Sequence, residues 1–180
     1  MAGDDIAFIL GGARSGKSRR AEGLVAGCCA RPLLIATAEP LDEEMDARIA
    51  RHRADRDPRW RTVEAPLEIA AAIDAADADG VLVDCLTLWV TNLMLAGRDV
   101  EVALGSLILA LNRAPAPVVL VANEVGLGIV PENALARRFR DEAGRVNQRV
   151  AAASGLVLFM AAGLSLPLKR PDSGPWSGIS

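Results

Sequence analysis

The stretch that decides the fold is Ile6-Ala7-Phe8-Ile9-Leu10, followed by Gly11-Gly12-Ala13-Arg14-Ser15-Gly16-Lys17-Ser18. The first five residues are apolar on both faces, which predicts a buried parallel strand. The next eight residues match G-x-x-x-x-G-K-[ST] in full, and a helical pattern over Lys17–Cys28 follows them. Because strand, glycine-rich loop and helix come in this order, we predict a phosphate-binding loop. The alternative is an ordinary glycine-rich turn that happens to carry Lys-Ser.

Each residue type in this loop has a physical reason to be there. Gly11 and Gly16 let the backbone turn tightly around an anion without a Cβ in the way. The backbone N–H groups and the helix N-terminus then face the phosphates. Lys17 is expected to reach the β- and γ-phosphates, and the Ser18 hydroxyl to ligate Mg²⁺. We therefore predict a site for ATP or GTP with Mg²⁺, formed by Gly11, Gly12, Ala13, Arg14, Ser15, Gly16, Lys17 and Ser18.

Short apolar runs alternate with helical patterns along the rest of the chain. The runs predict strands at Leu33–Ala36, Gly80–Val83, Val118–Ala122 and Leu156–Met160. The helical patterns cover Asp42–Arg56, Leu67–Ala75, Thr87–Leu95, Val100–Leu111 and Glu132–Ala153. Such alternation is typical of an α/β fold with a mostly parallel sheet flanked by helices. We expect one catalytic domain over residues 1–168, with no internal linker.

The segment 169–180 is rich in proline, glycine and serine. Its composition predicts a flexible, frayed end, and an arm packed on a neighbouring subunit is the alternative.

Composition narrows the class of protein. The chain has 180 residues, of which 51% are hydrophobic and 24% charged, so a single packed domain is expected. A formal net charge of −3 gives no sign of a basic face for nucleic acid. Three cysteines without zinc-ligand spacing indicate neither a disulfide framework nor a zinc site, which favours the reducing cytoplasm. We expect no signal peptide, since Asp4 and Asp5 precede any apolar run, and no membrane span.

Asp84 directly follows the predicted strand Gly80–Val83. A phosphate loop requires an acidic partner for magnesium at the end of another strand, and Asp84 fits that Walker-B-like position. The alternative is an aspartate that caps the next helix. We favour the metal role, so the predicted magnesium ligands are Ser18 and Asp84.

His52 is the chain's one histidine. At helical spacing it continues a stripe begun by apolar residues, and Arg48 and Arg56 flank it at i−4 and i+4. Guanidinium groups bind polyphosphate, and a neutral imidazole can attack phosphorus, so the row suits a nucleophile. On spacing alone, however, a histidine on an apolar stripe is more often a packed core residue.

Several stretches together resemble the bifunctional adenosylcobinamide kinase / adenosylcobinamide-phosphate guanylyltransferase family of cobalamin biosynthesis. They cover residues 6 to 165 in the expected order, and the longest, from Asn123 to Asn133, is highly specific. The stretches are Gly11 to Arg19, Ile35 to Ala38, Asp42 to Met45, Arg48 to Arg53, Trp60 to Glu64, Asp84 to Thr87, Thr91 to Leu93, Asn123 to Asn133, Arg138 to Asp141 and Gly144 to Gln148.

The resemblance implies a RecA-like P-loop domain in a homotrimer. It implies that ATP or GTP phosphorylates adenosylcobinamide, and that GMP then passes from GTP to adenosylcobinamide phosphate. The product is adenosyl-GDP-cobinamide, and His52 matches the family's GMP-carrying histidine. The implied nucleotide contacts, besides the phosphate loop, are Ala36, Thr37, Ala38, Arg53, Ala54, Asp55, Arg56, Glu64 and Asp84. Two positions depart from some relatives: Arg51 replaces a second histidine, and Asp84 replaces glutamate.

Three other classes compete with this interpretation. A different P-loop small-molecule kinase would use the loop and leave His52 structural. A guanine-nucleotide switch would carry an N/T-K-x-D motif, and Asn123-Glu124-Val125-Gly126 does not fit it. A RecA-like nucleic-acid motor is disfavoured because three phenylalanines and no tyrosine offer little for base stacking. For the glycine-rich segment Asn123–Asn133 we expect a cobinamide-facing or intersubunit role, with an ordinary strand-to-helix loop as the alternative.

Overall fold

The computed structural model describes residues 3–38 and 57–179. The strands in these ranges are β1 Ile6–Gly11, β2 Pro32–Ala36, β3 Arg61–Glu64, β4 Gly80–Asp84, β5 Val118–Asn123, β6 Leu156–Ala161 and β7 Leu164–Lys169. The helices are α1 Lys17–Cys28, α2 Ile69–Asp74, α3 Leu86–Leu95, α4 Val100–Arg113 and α5 Ala134–Ala153. The helix predicted over Asp42–Arg56 lies outside the described residues.

The seven strands form one sheet in the order β3-β2-β4-β5-β1-β6-β7. Every neighbouring pair is parallel except β6 and β7, which pair antiparallel. The predicted α/β fold with a mostly parallel sheet is therefore confirmed. In this order β5 separates β1, which leads into the phosphate loop, from β4, which ends at Asp84. The carboxyl ends of these three strands lie at one edge of the sheet.

Helices cover both faces of the sheet. Alternate strand residues such as Ile9, Leu82 and Val121 pack with Leu24 and Val25 of α1 on one face. The residues between them, such as Phe8 and Val83, pack with α2, α3, α4 and α5 on the other face. Burial on both faces explains why the central strands are continuously apolar in the sequence.

Two strands escaped the sequence-based prediction, and both lie at the edges of the sheet. All four residues of β3, Arg61-Thr62-Val63-Glu64, are exposed, so this strand lacks the apolar run of the central strands. The other, β7, contains Pro167, which an edge strand tolerates because one side of its backbone has no strand to pair with.

The segment after β7 packs on the domain, which differs from the frayed end expected from its composition. Trp176 is 1% exposed and joins the core on the α1 face of the sheet. The Ser173 hydroxyl also donates a 2.6 Å hydrogen bond to the Asp4 carboxylate. The buried Trp176 and the Ser173–Asp4 hydrogen bond together hold a segment rich in turn residues.

Within the described ranges, no helix combines the length and the apolar character needed to cross a membrane.

Candidate nucleotide-binding site

The predicted phosphate loop connects β1 to α1 as a tight turn at the carboxyl edge of the sheet. Gly16 has φ 95° and Arg14 has φ 57°, so the backbone turns through the left-handed region twice. The loop is closed by a 3.3 Å bond from Ser15 N–H to the Gly12 carbonyl oxygen. It is anchored by a 3.0 Å bond from Gly163 N–H to the Ser15 carbonyl oxygen. The β6–β7 turn therefore holds the loop in place.

The first turn of α1 is open to an anion. Its N-cap is Gly16, no side-chain cap bond is made at this end among the described residues, and no acidic residue lies in the first turn. By contrast, Asn133 caps α5 and Asp99 caps α4 through their side chains. Uncapped N–H groups and the positive end of the helix dipole together favour a bound phosphate at α1.

Lys17 is the cation of this loop. Its Nζ donates a 3.1 Å hydrogen bond to the Gly12 carbonyl oxygen across the loop. The bond is exposed, so breaking it to bind a phosphate oxygen costs little. The ammonium group thus lies over the turn in which the phosphates are expected.

Two buried polar atoms at this edge have no hydrogen-bond partner among the described residues. They are Ser15 Oγ in the loop and Asn123 Oδ1 at the end of β5, the strand next to β1. Gly11 and Asn123 are paired in the sheet, so both atoms lie close to the start of the loop. Since buried polar groups are normally satisfied, they fit a site completed by a polar ligand.

Asp84 ends β4, on the same face of the sheet as α1. Leu82, two residues earlier, packs in the α1 core, and side chains two residues apart on a strand share a face. The Ser18 hydroxyl lies in the first turn of α1. A hydroxyl and one carboxylate suit Mg²⁺, which keeps several waters and takes further ligands from substrate phosphates. Over residues 3–38 and 57–179, no group of three or more His, Cys, Asp or Glu forms a metal site.

The thiol of Cys85 reports on the electrostatics of this site. Burial and, to a smaller extent, the neighbouring Asp84 charge raise its pKa to about 11, while the Leu88 and Thr87 backbone N–H groups and the Lys17 charge act in the opposite direction. The charges of Asp84 and Lys17 therefore act on this thiol with opposite signs. The protonated Cys85 thiol is a packing group rather than a nucleophile.

Thr37 holds the ends of β2 and β4 together. It is fully buried, and its hydroxyl accepts a bond from Cys85 N–H and donates one to the Cys85 carbonyl oxygen, both 2.8 Å. The Asn92 amide donates to the carbonyl oxygens of Thr37 at 2.8 Å and Pro66 at 3.1 Å. Thr37 thus positions the backbone beside Asp84, and the half-buried Ala36 and Ala38 flank it.

The remaining predicted contacts are spread along the edge. Glu64 ends β3, and Glu64 and Asp84 both pair with Ala36, so the three residues form one row across neighbouring strands. Glu64 is exposed. His52 and the predicted contacts Arg53, Ala54, Asp55 and Arg56 lie outside the described residues.

The sequence-based prediction did not single out Asn123 and Glu124 individually. Asn123 N–H donates a 2.7 Å bond to Thr87 Oγ1, and Glu124 N–H donates a 3.1 Å bond to the Gly11 carbonyl oxygen. Both are polar residues that directly follow a buried apolar run, and the same pattern identified Asp84 in the sequence.

The fold and the site define a P-loop nucleotide-binding domain. This class also includes a solved structural neighbour, the assembled ATPase EscN of the enteropathogenic E. coli type III secretion system. That structure has a TM-score of 0.57 and 12% identity, and the match covers 93% of this chain and 51% of the ATPase. At this identity the likeness concerns the fold alone.

The family follows from sequence comparison. The model of the family described as cobinamide kinase / cobinamide phosphate guanyltransferase matches residues 7–168, and the chain belongs to this family. The bifunctional adenosylcobalamin biosynthesis protein CobU of Salmonella typhimurium is 46% identical over 179 residues, covering 90% of this chain and 98% of that protein. CobP of Pseudomonas aeruginosa, which has the same description, is 48% identical over 166 residues, covering 90% and 96%.

Proposed function

We propose that this protein is a bifunctional enzyme of cobalamin biosynthesis. It phosphorylates the hydroxyl group of adenosylcobinamide with ATP or GTP. It then transfers GMP from GTP to adenosylcobinamide phosphate, giving adenosyl-GDP-cobinamide and pyrophosphate. One observation carries this proposal. The phosphate loop presents Lys17 and the uncapped N-terminus of α1, in a chain that belongs to a family of kinases and guanyltransferases.

Both reactions use the same phosphate-binding apparatus. The N–H groups at the start of α1 and the Lys17 ammonium hold the triphosphate and neutralise charge on the leaving group. Ser15 Oγ and Asn123 Oδ1 complete the polar lining on the side of β5. Catalysis in phosphoryl transfer is largely positioning and charge stabilisation, so one loop can serve two transfers.

Guanylyl transfer takes place in two steps through His52. A neutral imidazole nitrogen attacks the α-phosphorus of GTP, so a P–N bond forms while the P–O bond to pyrophosphate breaks. A phosphate oxygen of the substrate then attacks the same phosphorus and releases the imidazole. The ordinary histidine pKa of about 6.5 makes the neutral form available near pH 7. Arg53 to Arg56 follow His52 and provide guanidinium groups for the phosphates.

Ser18 and Asp84 are the residues that would hold Mg²⁺. Bound there, the ion would supply positive charge that offsets the charge developing on the transferred phosphate group. Glu64, at the far end of the row through Ala36 and Asp84, provides a nucleotide contact beyond the phosphates.

We also propose a cytoplasmic homotrimer that binds no nucleic acid. All three cysteines are free, which suits a reducing compartment, and the net charge of −3 gives no sign of a basic face for nucleic acid. Exposed apolar side chains support self-association, since such patches commonly mark interfaces. They lie in the segment after β5 and on β7, at Leu127, Ile129, Val130, Leu164, Leu166 and Leu168. Light scattering after gel filtration is expected to give three times the mass of one chain.

The test is to incubate the protein with adenosylcobinamide, Mg²⁺ and GTP and to follow corrinoids by mass spectrometry. Adenosylcobinamide phosphate is expected first and adenosyl-GDP-cobinamide second. If adenosylcobinamide phosphate alone accumulated, the protein would be a kinase without guanylyltransferase activity. The absence of both products would refute the proposal.

A further inference from the structure

Glu124 lies directly beside the phosphate loop. Its N–H donates a 3.1 Å bond to the carbonyl oxygen of Gly11, the first residue of the loop, and the residue is half-buried. It follows β5, the strand next to β1. No other acidic residue at this edge follows a strand adjacent to β1 within the described part of the chain.

Strand spacing separates the three carboxylates of this edge. Neighbouring strands are about 4.8 Å apart, so β5 lies about 5 Å from β1, β4 about 10 Å and β3 about 19 Å. Among the three, Glu124 therefore follows the strand next to the loop, Asp84 ends the next strand along, and Glu64 ends the most distant one. Cys85 follows Asp84, so β4 offers no second carboxylate there.

The backbone before Glu124 is fixed from two sides. Asn123 N–H donates to Thr87 Oγ1 at 2.7 Å, and Asn147 Nδ2 donates to the Asn123 carbonyl oxygen at 3.4 Å. One carboxylate oxygen of Glu124 accepts a bond from Gly126 N–H, which orients the group. Both α3 and α5 therefore help to position Glu124.

The two proposed reactions place different demands on this position. The acceptor in the kinase step is an alcohol, which must lose its proton as it attacks. The acceptor in guanylyl transfer is a phosphate, which carries a free anionic oxygen at pH 7 because its second pKa is about 6. Only the kinase step needs a base, and a carboxylate beside the phosphate loop meets that need.

We propose that Glu124 is the general base of the kinase step and takes no part in guanylyl transfer. This inference rests on the proposed function. As the substrate oxygen attacks the γ-phosphorus, the new O–P bond forms and the bridging P–O bond to the nucleoside diphosphate breaks. The hydroxyl proton passes to the Glu124 carboxylate and is then released to water.

The decisive variant is Glu124→Gln, whose amide oxygen can still accept the bond from Gly126 N–H but is not basic. The matched control is Asp172→Asn, since Asp172 is an exposed carboxylate on the segment after β7, outside the site. Each protein is assayed separately with adenosylcobinamide plus ATP, and with adenosylcobinamide phosphate plus GTP. Glu124→Gln is expected to lose at least about 100-fold in the kinase step. Its kinase pH profile should lose the acidic limb, and its guanylyl transfer should stay within about twofold of the parent rate.

Two results would overturn the inference. If the kinase rate of Glu124→Gln stayed within a few-fold of the parent rate, Glu124 would not be the base and would only orient the loop. An equal loss in both reactions would show that the substitution disturbs the shared phosphate loop. If the parent protein catalyses neither reaction, the proposed function fails, and that result is visible before any variant is made.

Discussion

Gly11 packs against the backbone of Met160 so closely that a Cβ on residue 11 would lie 2.4 Å from the Met160 carbonyl oxygen. A Cβ on the neighbouring Gly12 would meet no atom of the described residues within 4 Å. The first glycine of the loop is therefore required by the contact between β1 and β6, whereas the second is not required by packing.

Gly11→Ala is expected to destabilise the fold, because the clash involves backbone that cannot rotate away. Overpacking typically costs about 1–3 kcal/mol, and we expect the upper end of this range. Urea unfolding of Gly11→Ala beside Gly12→Ala measures the difference. Equal stabilities for the two variants would contradict the close contact.

Lys17→Ala is expected to reduce both the kinase and the guanylyl-transfer rates by at least about 100-fold, because both reactions need the phosphates held. Folding should be preserved, since the bond that Lys17 makes within residues 3–38 and 57–179 is the exposed one to the Gly12 carbonyl oxygen. Lys169→Ala is the control, because Lys169 is the chain's other lysine. Steady-state rates and nucleotide affinity are the readouts. Loss of one activity alone would argue against a shared phosphate site.

Asn92→Ala is expected to destabilise the protein by about 2–4 kcal/mol, because it leaves two carbonyl oxygens without their donor. Those oxygens belong to Thr37 and Pro66. Asn112→Ala changes an exposed asparagine of α4 and should stay within about 0.5 kcal/mol of the parent. Chemical denaturation gives the free energy of unfolding of both variants. Similar values would show that the hydrogen bonds from Asn92 to Thr37 and Pro66 do not stabilise the fold.

The three thiols are expected to differ sharply in reactivity. Cys28 is exposed, whereas burial raises the pKa of Cys29 to about 12 and that of Cys85 to about 11. A thiol reagent at pH 8 should therefore modify one cysteine in the native protein and three in denaturant. Mass spectrometry identifies the site, and rapid native modification of Cys85 would contradict its burial.

The same shifts predict how stability depends on pH. The folded pKa of Cys85 lies above the unfolded value of about 8.5, so its buried protonated form favours the fold below that pH. The contribution is lost as the pH rises from about 8.5 towards 11. Denaturation midpoints should therefore fall over this range.

Much of this structure could be predicted from the sequence because its central strands are buried on both faces. The continuous apolar runs located β1, β2, β4, β5 and β6, and Gly16 and Lys17 located the loop. The edge strands could not be located in this way, since Val63 of β3 stands exposed among polar residues and Pro167 interrupts β7. The reactivity of a cysteine or histidine depends on its burial and on the groups around it. The spacing of residues along the sequence does not reveal either.

The site residues that could be predicted from the strand pattern are those that directly follow a buried strand. Asp84 lies where the strand pattern placed it, at the loop's edge of the sheet. Thr37 is predicted to contact nucleotide, and in the structure its hydroxyl bonds the Cys85 backbone. Only the register between β2 and β4 reveals this partner, which is 48 residues away in the chain. The role of His52 remains a prediction from the family resemblance.

The most direct test of the account is covalent labelling with GTP carrying a label on its α-phosphate. The protein is incubated with Mg²⁺ and this nucleotide, denatured, and treated with acid or base, beside the variant His52→Ala. We predict label on the parent chain that is acid-labile and base-stable, as expected for a phosphoramidate, and none on His52→Ala. A folded parent protein that binds GTP but takes up no label would contradict guanylyl transfer through His52.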